Sequence, residues 1–355
     1  MRTLRILFLG DNWHGSCARA CAYSLRRLGC DVLDVDHQTF FPQVRTFAGR
    51  ALRWPMIGNL IRAYNDEILR RAEYFQPDLL LAFKGYFVQA RTLRLLRERD
   101  VRCYNFYPDR MAFAGRLEQE SLPEYDCFFD TKRLCATDAP NSFTVRERHF
   151  VPHGYDPEIH RSVTPQPRDK FQYGCDVGVV AGWSPRKQRF AEALVRLRPK
   201  LDLKIWGEVW KKSGILSNYV QGHGLHGEQY ARAVQCFRIN LALLGINEDV
   251  QDETTTRTFE IPACRAFMLH ERTEELLQFY EEGSEVACYA SPEEAIEKID
   301  YYLAHPAERD SIALAGHSRC VPAYSYESRM AEILRWHTDR CASPEATVNA
   351  GHSLE

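Results

Sequence analysis

The strongest constraint on the fold is a series of short apolar runs alternating with longer stretches of helical periodicity, and the series starts twice. The short runs are apolar throughout, which is typical of parallel strands covered on both faces. Strands that alternate with helices indicate a doubly wound α/β sheet. The sequence therefore predicts an α/β protein with two Rossmann-like domains.

The predicted elements fall into two groups. In the first group, strands are predicted at residues 5–9, 31–35, 78–83, 102–106 and 125–129, and helices at 15–28, 57–74 and 88–99. In the second, strands are predicted at residues 175–181, 201–206, 239–244 and 267–269, and helices at 184–197, 228–237, 257–264, 292–303 and 306–320. Ser184 and Ser291 are each followed by Pro, which is a helix-start signal.

Domain boundaries follow from length and composition. A chain of 355 residues is longer than one hydrophobic core usually serves. Residues 156–169 are polar and contain three prolines, as linkers do. We predict an N-terminal domain at residues 1–160 and a C-terminal domain at 161–335. The small, polar residues 341–355 predict a disordered tail.

The charge balance gives no reason to expect a nucleic-acid partner. Lys plus Arg number 46 and Asp plus Glu 48, so the formal net charge is −2. A near-neutral chain has no global attraction to nucleic acid. No apolar run approaches the roughly 18 residues that cross a bilayer, and the opening residues lack a signal-peptide pattern. We therefore expect a cytoplasmic protein.

Cysteine and histidine spacing gives no metal motif. The 12 cysteines include no C-x-x-C pair. His223 and His226 form an H-x-x-H that lacks the Glu of a zinc-protease motif. Reduced, buried thiols are common in cytoplasmic enzymes. We predict neither a metal nor another cofactor.

Several predicted strands run directly into glycine. Ligands of open α/β sheets bind beyond the carboxyl ends of the strands, where glycine lets the backbone approach them closely. These glycines predict a rim that faces a ligand, although each alone is equally compatible with a simple turn. They are Gly10, Gly182, Gly207 and Gly245.

Residues 252–264 carry the most informative chemistry. They lead into a short predicted helix, whose N-terminus presents free N–H groups to an anion such as a diphosphate. Arg257 adds a cationic fork for phosphate oxygens. Glu260 is placed to accept both hydroxyls of a ribose, and Asp252 to reach hydroxyls of a transferred sugar. Further neutral donors are Thr255, Thr256 and Thr258. A capped surface helix is the alternative interpretation.

The run at residues 257–264, followed by 267–269, resembles the C-terminal signature of CgeB-like (spore-maturation-type) glycosyltransferases. The similarity covers most of residues 175–334, through segments 271–275, 279–285 and 301–309. A weaker similarity in the N-terminal half involves segments 83–85, 105–109 and 151–157. The resemblance implies a GT-B fold with two domains facing across a cleft, and a nucleotide-sugar donor.

The resemblance also assigns roles within the second half. Retaining GT-B enzymes carry two acidic residues separated by seven; Glu260 matches the second, and Asp252 stands at the first position as Asp rather than Glu. Lys187 matches a basic residue that neutralises the leaving diphosphate, with a solvated helix start as the alternative. Leu225 and His226 match a position that often contacts the nucleotide base in such folds, with a capping or surface histidine as the alternative for His226.

Arg265 departs from the family pattern. It replaces the Gly that usually follows Ala-Cys in this signature. A bulky cation beside the site is expected either to tune donor or acceptor binding or to mark a less active member.

The loop at residues 10–16 and two later positions are predicted on the acceptor side, with a role in diphosphate binding as the alternative for the loop. The loop has the glycine spacing of a P-loop without its Lys, which disfavours ATP hydrolysis. Asp109 or His14 would serve as the base if the reaction inverts configuration, with a turn Asp and a structural His as the alternatives. The acceptor-side residues are Gly10, Trp13, His14, Gly15, Lys84 and Asp109.

Together these features predict a metal-independent glycosyltransferase that moves a sugar from a nucleotide-diphosphate sugar to a glycan, lipid-linked or small-molecule acceptor, with retention favoured. The alternatives are a nucleotide-sugar epimerase or hydrolase and a catalytically silent nucleotide-sugar-binding protein. Residues 40–54 combine aromatics with Arg45, Arg50 and Arg53, which suits peripheral membrane contact, with a solvated basic helix as the alternative.

Overall fold

The computed structural model describes residues 2–41, 56–109, 119–133, 145–210, 214–245 and 252–342. The basic stretch 42–54 and the predicted tail from residue 343 lie outside these ranges. The chain divides into two compact units. The first comprises Met1–Asn12, Ala18–Pro152 and Glu327–Glu355, and the second comprises Trp13–Cys17 and His153–Tyr326.

The first unit is built on a six-stranded parallel sheet of order β2-β1-β3-β4-β5-β6. Its strands are β1 Arg5–Leu9, β2 Asp31–Val35, β3 Leu79–Phe83, β4 Arg102–Tyr107, β5 Cys127–Asp130 and β6 Arg148–Phe150. The intervening helices are α1 Cys17–Arg27, α2 Ile57–Phe75 and α3 Ala90–Arg97. Every residue of β3 is buried, which explains its unbroken apolar sequence.

The second unit repeats this architecture in the order β12-β11-β10-β7-β8-β9, again with parallel pairing. Its strands are β7 Cys175–Val180, β8 Leu203–Trp206, β9 Val220–Gly222, β10 Phe237–Ala242, β11 Met268–Glu271 and β12 Ala287–Tyr289. Its helices are α4 Pro167–Tyr173, α5 Pro185–Leu197, α6 Glu228–Val234, α7 Arg257–Ala263, α8 Pro292–Ala304 and α9 Pro306–Cys320.

Both predicted helix-start signals are confirmed. The Ser184 hydroxyl accepts the Lys187 N–H ahead of α5, and the Ser291 hydroxyl accepts the Glu294 N–H ahead of α8. Each bond satisfies a backbone donor that has no partner within the helix. The capping residues therefore fix where α5 and α8 begin.

The predicted helix at residues 228–237 ends earlier than expected. Its last residue is Val234, and β10 already begins at Phe237. The Phe237 ring stacks on Trp206 at 5.1 Å and covers Gly178, where a Cβ atom would lie 2.0 Å from the ring. Phe237 is therefore a core residue of β10. The sequence pattern places it at the end of a predicted helix.

A final helix, α10 Tyr326–Ala342, returns the chain to the first unit. The Tyr104 hydroxyl lies 2.9 Å from Nδ1 of the buried His337, and the Trp336 ring packs edge-on against Tyr104 and Phe129. The first unit thus ends at Pro152 and resumes at Glu327, which differs from the predicted division at residue 160. Helix α4 likewise occupies part of the predicted linker.

Candidate functional site

A cavity of about 240 Å³ opens in the second unit at the carboxyl ends of β7 and β8. Val180 ends β7, and Gly207 follows the last residue of β8. The strand order reverses between β7 and β10, and open α/β sheets bind ligands beside such a reversal. The cavity is lined by Gly15, His160, Val180, Ala181, Gly182, Gly207, Glu208, Gly224, Leu225, His226, Gly227, Tyr230, Arg257 and Glu260.

Two of the four predicted rim glycines line this cavity, for different reasons. A Cβ atom on Gly207 would lie 1.8 Å from the Ala181 carbonyl oxygen, so close packing demands glycine there. Among the described residues, no heavy atom lies within 4 Å of the position that a Cβ atom on Gly182 would take, which leaves open space in the cavity. Gly10 packs against Ala18 in the first unit, and Gly245 packs against Arg186; neither lines the cavity.

Arg257, the first residue of α7, brings a positive charge to the cavity wall. Its Nε donates to the Val180 carbonyl oxygen at 2.6 Å, which anchors the guanidinium at the end of β7. Nη1 lies 3.5 Å from the Thr256 hydroxyl. Among the described residues no hydrogen bond engages Nη2, so the guanidinium keeps donor capacity for a ligand.

Glu260 lies one helical turn beyond Arg257 and lines the same wall. Its Oε1 is 3.8 Å from Nε2 of His160. The backbone N–H of Asp156 donates to Nδ1 of His160 at 3.0 Å, so the imidazole proton resides on Nε2 and faces Glu260. Burial lowers the pKa of His160, which favours the neutral ring.

His160 and Tyr230 are cavity residues that the sequence analysis missed. Their rings meet edge to face at 5.3 Å. His160 lies within the predicted linker, three residues after a segment that supported the family resemblance. Tyr230 lies on α6, where no local motif marks it as a cavity residue. Proximity to Glu260 is a tertiary property that no local spacing reveals.

Thr258 belongs to the interior and not to the cavity. Its hydroxyl accepts the Thr255 N–H at 3.0 Å and donates to Nε2 of His270 at 2.9 Å. Nδ1 of His270 in turn donates to the Glu271 carbonyl at 2.7 Å. The side chain is fully buried because it points away from the face that carries Arg257 and Glu260.

We expect this chain of bonds to make stability pH-dependent. Burial lowers the pKa of His270 to about 4, so the unfolded state, with a pKa near 6.5, binds more protons between these values. The free energy of unfolding should therefore fall by about 2–3 kcal/mol as the pH drops from 7.5 to 4.5. Urea unfolding of the wild type and of His270→Gln measures it. The variant should be less stable than the wild type at pH 7.5, and its free energy of unfolding should change less with pH. Parallel pH dependences of the two proteins would contradict the assignment of this effect to His270.

The remaining donor-side candidates lie outside the cavity wall. Lys187 donates from Nζ to the Gly182 carbonyl at 3.2 Å, next to the wall. Asp252 is buried. Neither residue lines the cavity, and the same is true of Thr255 and Thr256. Among the predicted donor residues, the cavity gathers Gly182, Gly207, Leu225, His226, Arg257 and Glu260.

Arg265 does not reach the cavity. It is exposed and follows α7 with a φ of 57°, in the left-handed region that favours glycine. The Gly that the family pattern places here fits that backbone conformation. The substitution therefore acts on the end of α7, and the expected cation beside the site is not found on the cavity wall.

The predicted acceptor-side residues separate between the two units. In the first unit, Nζ of Lys84 lies 2.7 Å from Oδ2 of Asp109, and the Tyr86 hydroxyl donates to the same oxygen at 3.4 Å. This pair follows the carboxyl ends of β3 and β4. The carboxylate is thereby held between a cation and a hydroxyl.

The segment Trp13–Cys17 belongs to the second unit. Gly15 lines the cavity there. The Trp13 ring meets His226 edge to face at 5.3 Å, and the His14 imidazole lies where a Cβ on Gly227 would be 2.9 Å from Nδ1. These residues therefore adjoin the predicted donor residue His226 and the cavity residue Gly227.

The described part of the chain lacks both a metal-binding cluster and a membrane-spanning helix. No cluster of three or more His, Cys, Asp or Glu side chains there is arranged to hold a metal ion. His223 instead contacts Glu208, with Nδ1 3.1 Å from the carboxylate. No helix in those ranges has the length and apolarity needed to span a bilayer.

Comparison with known proteins identifies the fold. Residues 186–335 match a family described as glycosyl transferase-like. Spore protein CgeB of Bacillus subtilis is 32% identical over 81 residues, which span 23% of this chain and 24% of that protein. The match to this curated relative thus covers about a quarter of either chain.

Solved structures match over nearly the whole length. Sucrose-phosphate synthase from Thermosynechococcus elongatus gives a TM-score of 0.69 at 12% identity, covering 96% of this chain and 99% of that one. HepE of Anabaena, solved in complex with UDP-glucose, gives a TM-score of 0.59 at 11% identity. The match covers 95% of this chain and 100% of HepE. A UDP-N-acetylglucosamine 2-epimerase gives a TM-score of 0.54 at 12% identity. The match covers 96% of this chain and 98% of the epimerase. The predicted GT-B class, with two Rossmann-like parallel sheets, is confirmed.

Proposed function

We propose that the protein is a glycosyltransferase that binds a nucleotide-diphosphate-sugar donor in the cavity of the second unit. The observation that carries this proposal is the placement of Arg257 and Glu260 on one wall, at the carboxyl ends of the central strands. A cation for phosphate and a carboxylate for hydroxyl groups are the two partners that a nucleoside diphosphate requires.

Arg257 is the proposed partner of the diphosphate. A guanidinium offers parallel N–H donors that match two phosphate oxygens, and its bond to Val180 fixes its orientation before a ligand arrives. As the sugar leaves, negative charge grows on the diphosphate, and a preorganised cation stabilises it. Lys187, beside the cavity at Gly182, is proposed as a second cation for the same charge.

Glu260 is the proposed partner of the ribose. An ionised carboxylate accepts hydrogen bonds only, and its two oxygens suit two adjacent hydroxyl donors. It would repel phosphate, so we place the diphosphate toward Arg257 and Gly182 and the sugar ring of the nucleoside toward Glu260. The neutral His160 beside it leaves the charge of the carboxylate intact.

The proposal extends to metal independence, stereochemistry and the acceptor. Because Arg257 supplies positive charge, we propose transfer without a metal ion, and we propose retention from the acidic pair that the sequence pattern suggests, with Asp252 orienting the transferred sugar. The acceptor is proposed to be a glycan, a lipid-linked molecule or a small molecule. The Lys84–Asp109 pair of the first unit is the proposed contact for an acceptor hydroxyl.

The relatives support this proposal at different levels. The family match covers the part of the chain that includes Arg257 and Glu260, and HepE was solved with UDP-glucose. The similarity to CgeB spans a short segment, so membership of a CgeB-like family is part of the proposal. Fold similarity to an epimerase makes nucleotide-sugar epimerisation the second candidate.

A binding screen tests the proposal. We expect UDP, GDP or ADP to raise the melting temperature, since a ligand of the native state stabilises it. The corresponding UDP-, GDP- or ADP-sugar is then incubated with the protein, with and without a set of glycan and lipid-linked acceptors. Acceptor-dependent release of nucleoside diphosphate would support transfer.

Other outcomes separate the alternatives. An isomerised nucleotide sugar formed without acceptor would indicate an epimerase, and free sugar released without acceptor would indicate a hydrolase. Tight binding without turnover on any acceptor would indicate a silent binding protein. Failure of all three nucleoside diphosphates to bind would exclude the proposed site.

A further inference from the structure

Two polar side chains next to Glu260, the buried Tyr230 and the partly buried His160, have no assigned role in the proposed donor contacts. Tyr230 is 4% exposed and lines the cavity. Its hydroxyl makes no hydrogen bond of full geometry among the described residues, but it lies close enough to the Glu260 carboxylate for that group to raise its pKa. A buried hydroxyl without a full hydrogen bond is costly and calls for an explanation. His160 lines the same part of the cavity.

The proton of His160 faces Glu260. Its Nδ1 accepts the Asp156 N–H, which leaves Nε2 as the donor, 3.8 Å from Oε1 of Glu260. This separation is longer than a hydrogen bond, so the contact orients the carboxylate through charge and dipole without using up its lone pairs. Glu260 therefore keeps acceptor capacity for a ligand.

Tyr230 acts on the same carboxylate. Burial raises the pKa of Tyr230 well above its usual value, and the charge of Glu260 raises it further. The hydroxyl therefore stays protonated and offers its dipole toward Glu260. The edge-to-face contact between the His160 and Tyr230 rings holds both groups beside the carboxylate.

We propose that His160 and Tyr230 are positioning residues that hold the Glu260 carboxylate ready to accept two adjacent ligand hydroxyls, and that they thereby select ribonucleoside over 2′-deoxyribonucleoside diphosphates. This inference rests on the proposed function. A ligand that lacks the 2′-hydroxyl leaves one carboxylate oxygen desolvated without a donor, which is the situation in which polar sites discriminate most strongly.

Calorimetric affinities test the inference. UDP, GDP and ADP are each compared with their 2′-deoxy counterparts on the wild type, on Glu260→Gln, on Tyr230→Phe and on His160→Leu. We expect the wild type to prefer the ribose form at least about tenfold. All three variants should bring this ratio close to one. Tyr230→Phe and His160→Leu should still bind the deoxy ligand with an affinity within about twofold of the wild-type value.

Two further variants separate positioning from packing. His160→Gln retains an N–H donor near the position of Nε2, so it should restore most of the preference that His160→Leu loses. Tyr219→Phe removes a hydroxyl that donates to the Pro199 carbonyl oxygen at 3.5 Å. It should leave the ratio of ribose to deoxyribose affinity unchanged. Melting temperatures identify a variant that fails to fold, and Tyr230→Phe alone then decides the test.

The outcomes distinguish the inference from the function beneath it. Equal loss of affinity for both ligand forms in Tyr230→Phe would assign a merely structural role and overturn the inference. A wild-type ratio retained in Tyr230→Phe and lost in Glu260→Gln would also overturn it while the donor site stands. If the wild type binds none of the diphosphates, both the inference and the proposed function fall.

Discussion

Replacing Arg257 with Ala should weaken nucleoside diphosphate binding about 100-fold, equivalent to about 2.7 kcal/mol. The variant loses an arginine of the cavity wall and the anchor between α7 and the Val180 carbonyl. Calorimetry with UDP, GDP and ADP measures the loss. Arg257→Lys should fall between Ala and the wild type, because an ammonium keeps the charge and loses the fork.

Two controls make this result specific. Uridine, guanosine and adenosine lack phosphate, so their affinities should change less than about twofold if Arg257 binds the diphosphate. Arg238→Ala removes an exposed arginine at the start of β10, where it pairs with Asp176 at 2.8 Å, and should bind like the wild type. A uniform loss for nucleosides and diphosphates would assign Arg257 to folding instead.

The largest effect on folding is expected from Glu271→Gln, which should lower the free energy of unfolding by about 2–3 kcal/mol. Arg186 forms a two-pronged pair with this carboxylate, with Nη1 2.8 Å from Oε2, and also donates to the Leu244 carbonyl. The side chains of Arg186 and Glu271 are 24% and 11% exposed, so removal of the carboxylate charge leaves a partly buried cation without its partner. Urea denaturation provides the measurement.

An exposed pair supplies the matched control. Arg272 bonds Glu282 near the surface, and Glu282→Gln should cost less than about 1 kcal/mol because solvent screens the charges. Replacing Arg186 and Glu271 together with Met should recover part of the loss, since no unpaired charge is then left behind. Similar costs for Glu271→Gln and Glu282→Gln would show that burial does not strengthen the first pair.

The fold was largely predictable because its strands are buried on both faces. Unbroken apolar sequence predicted β1 and β3, and capping serines predicted the starts of α5 and α8. The three-residue edge strands β6, β9 and β12 were missed, since so short a run carries no periodicity. Helix α10 was missed because its mostly polar sequence gives a weak apolar stripe.

The candidate site was only partly predictable. Arg257 and Glu260 came from one local run, where sequence spacing translates directly into a shared helical face. Thr258 lies in the same run but points inward, because one helical step turns a side chain by about 100°. His160 and Tyr230 join Glu260 only through folding, from a segment predicted as linker and from another helix.

The return of α10 to the first unit has a consequence for biosynthesis. Tyr104 and Phe129 leave the ribosome early, but the Trp336 ring that packs against them is translated only after the entire His153–Tyr326 stretch. Domains generally fold in the order in which they emerge. In this chain the surface around Tyr104 and Phe129 stays uncovered until α10 is made. The unit translated later can therefore complete its structure before the first unit does.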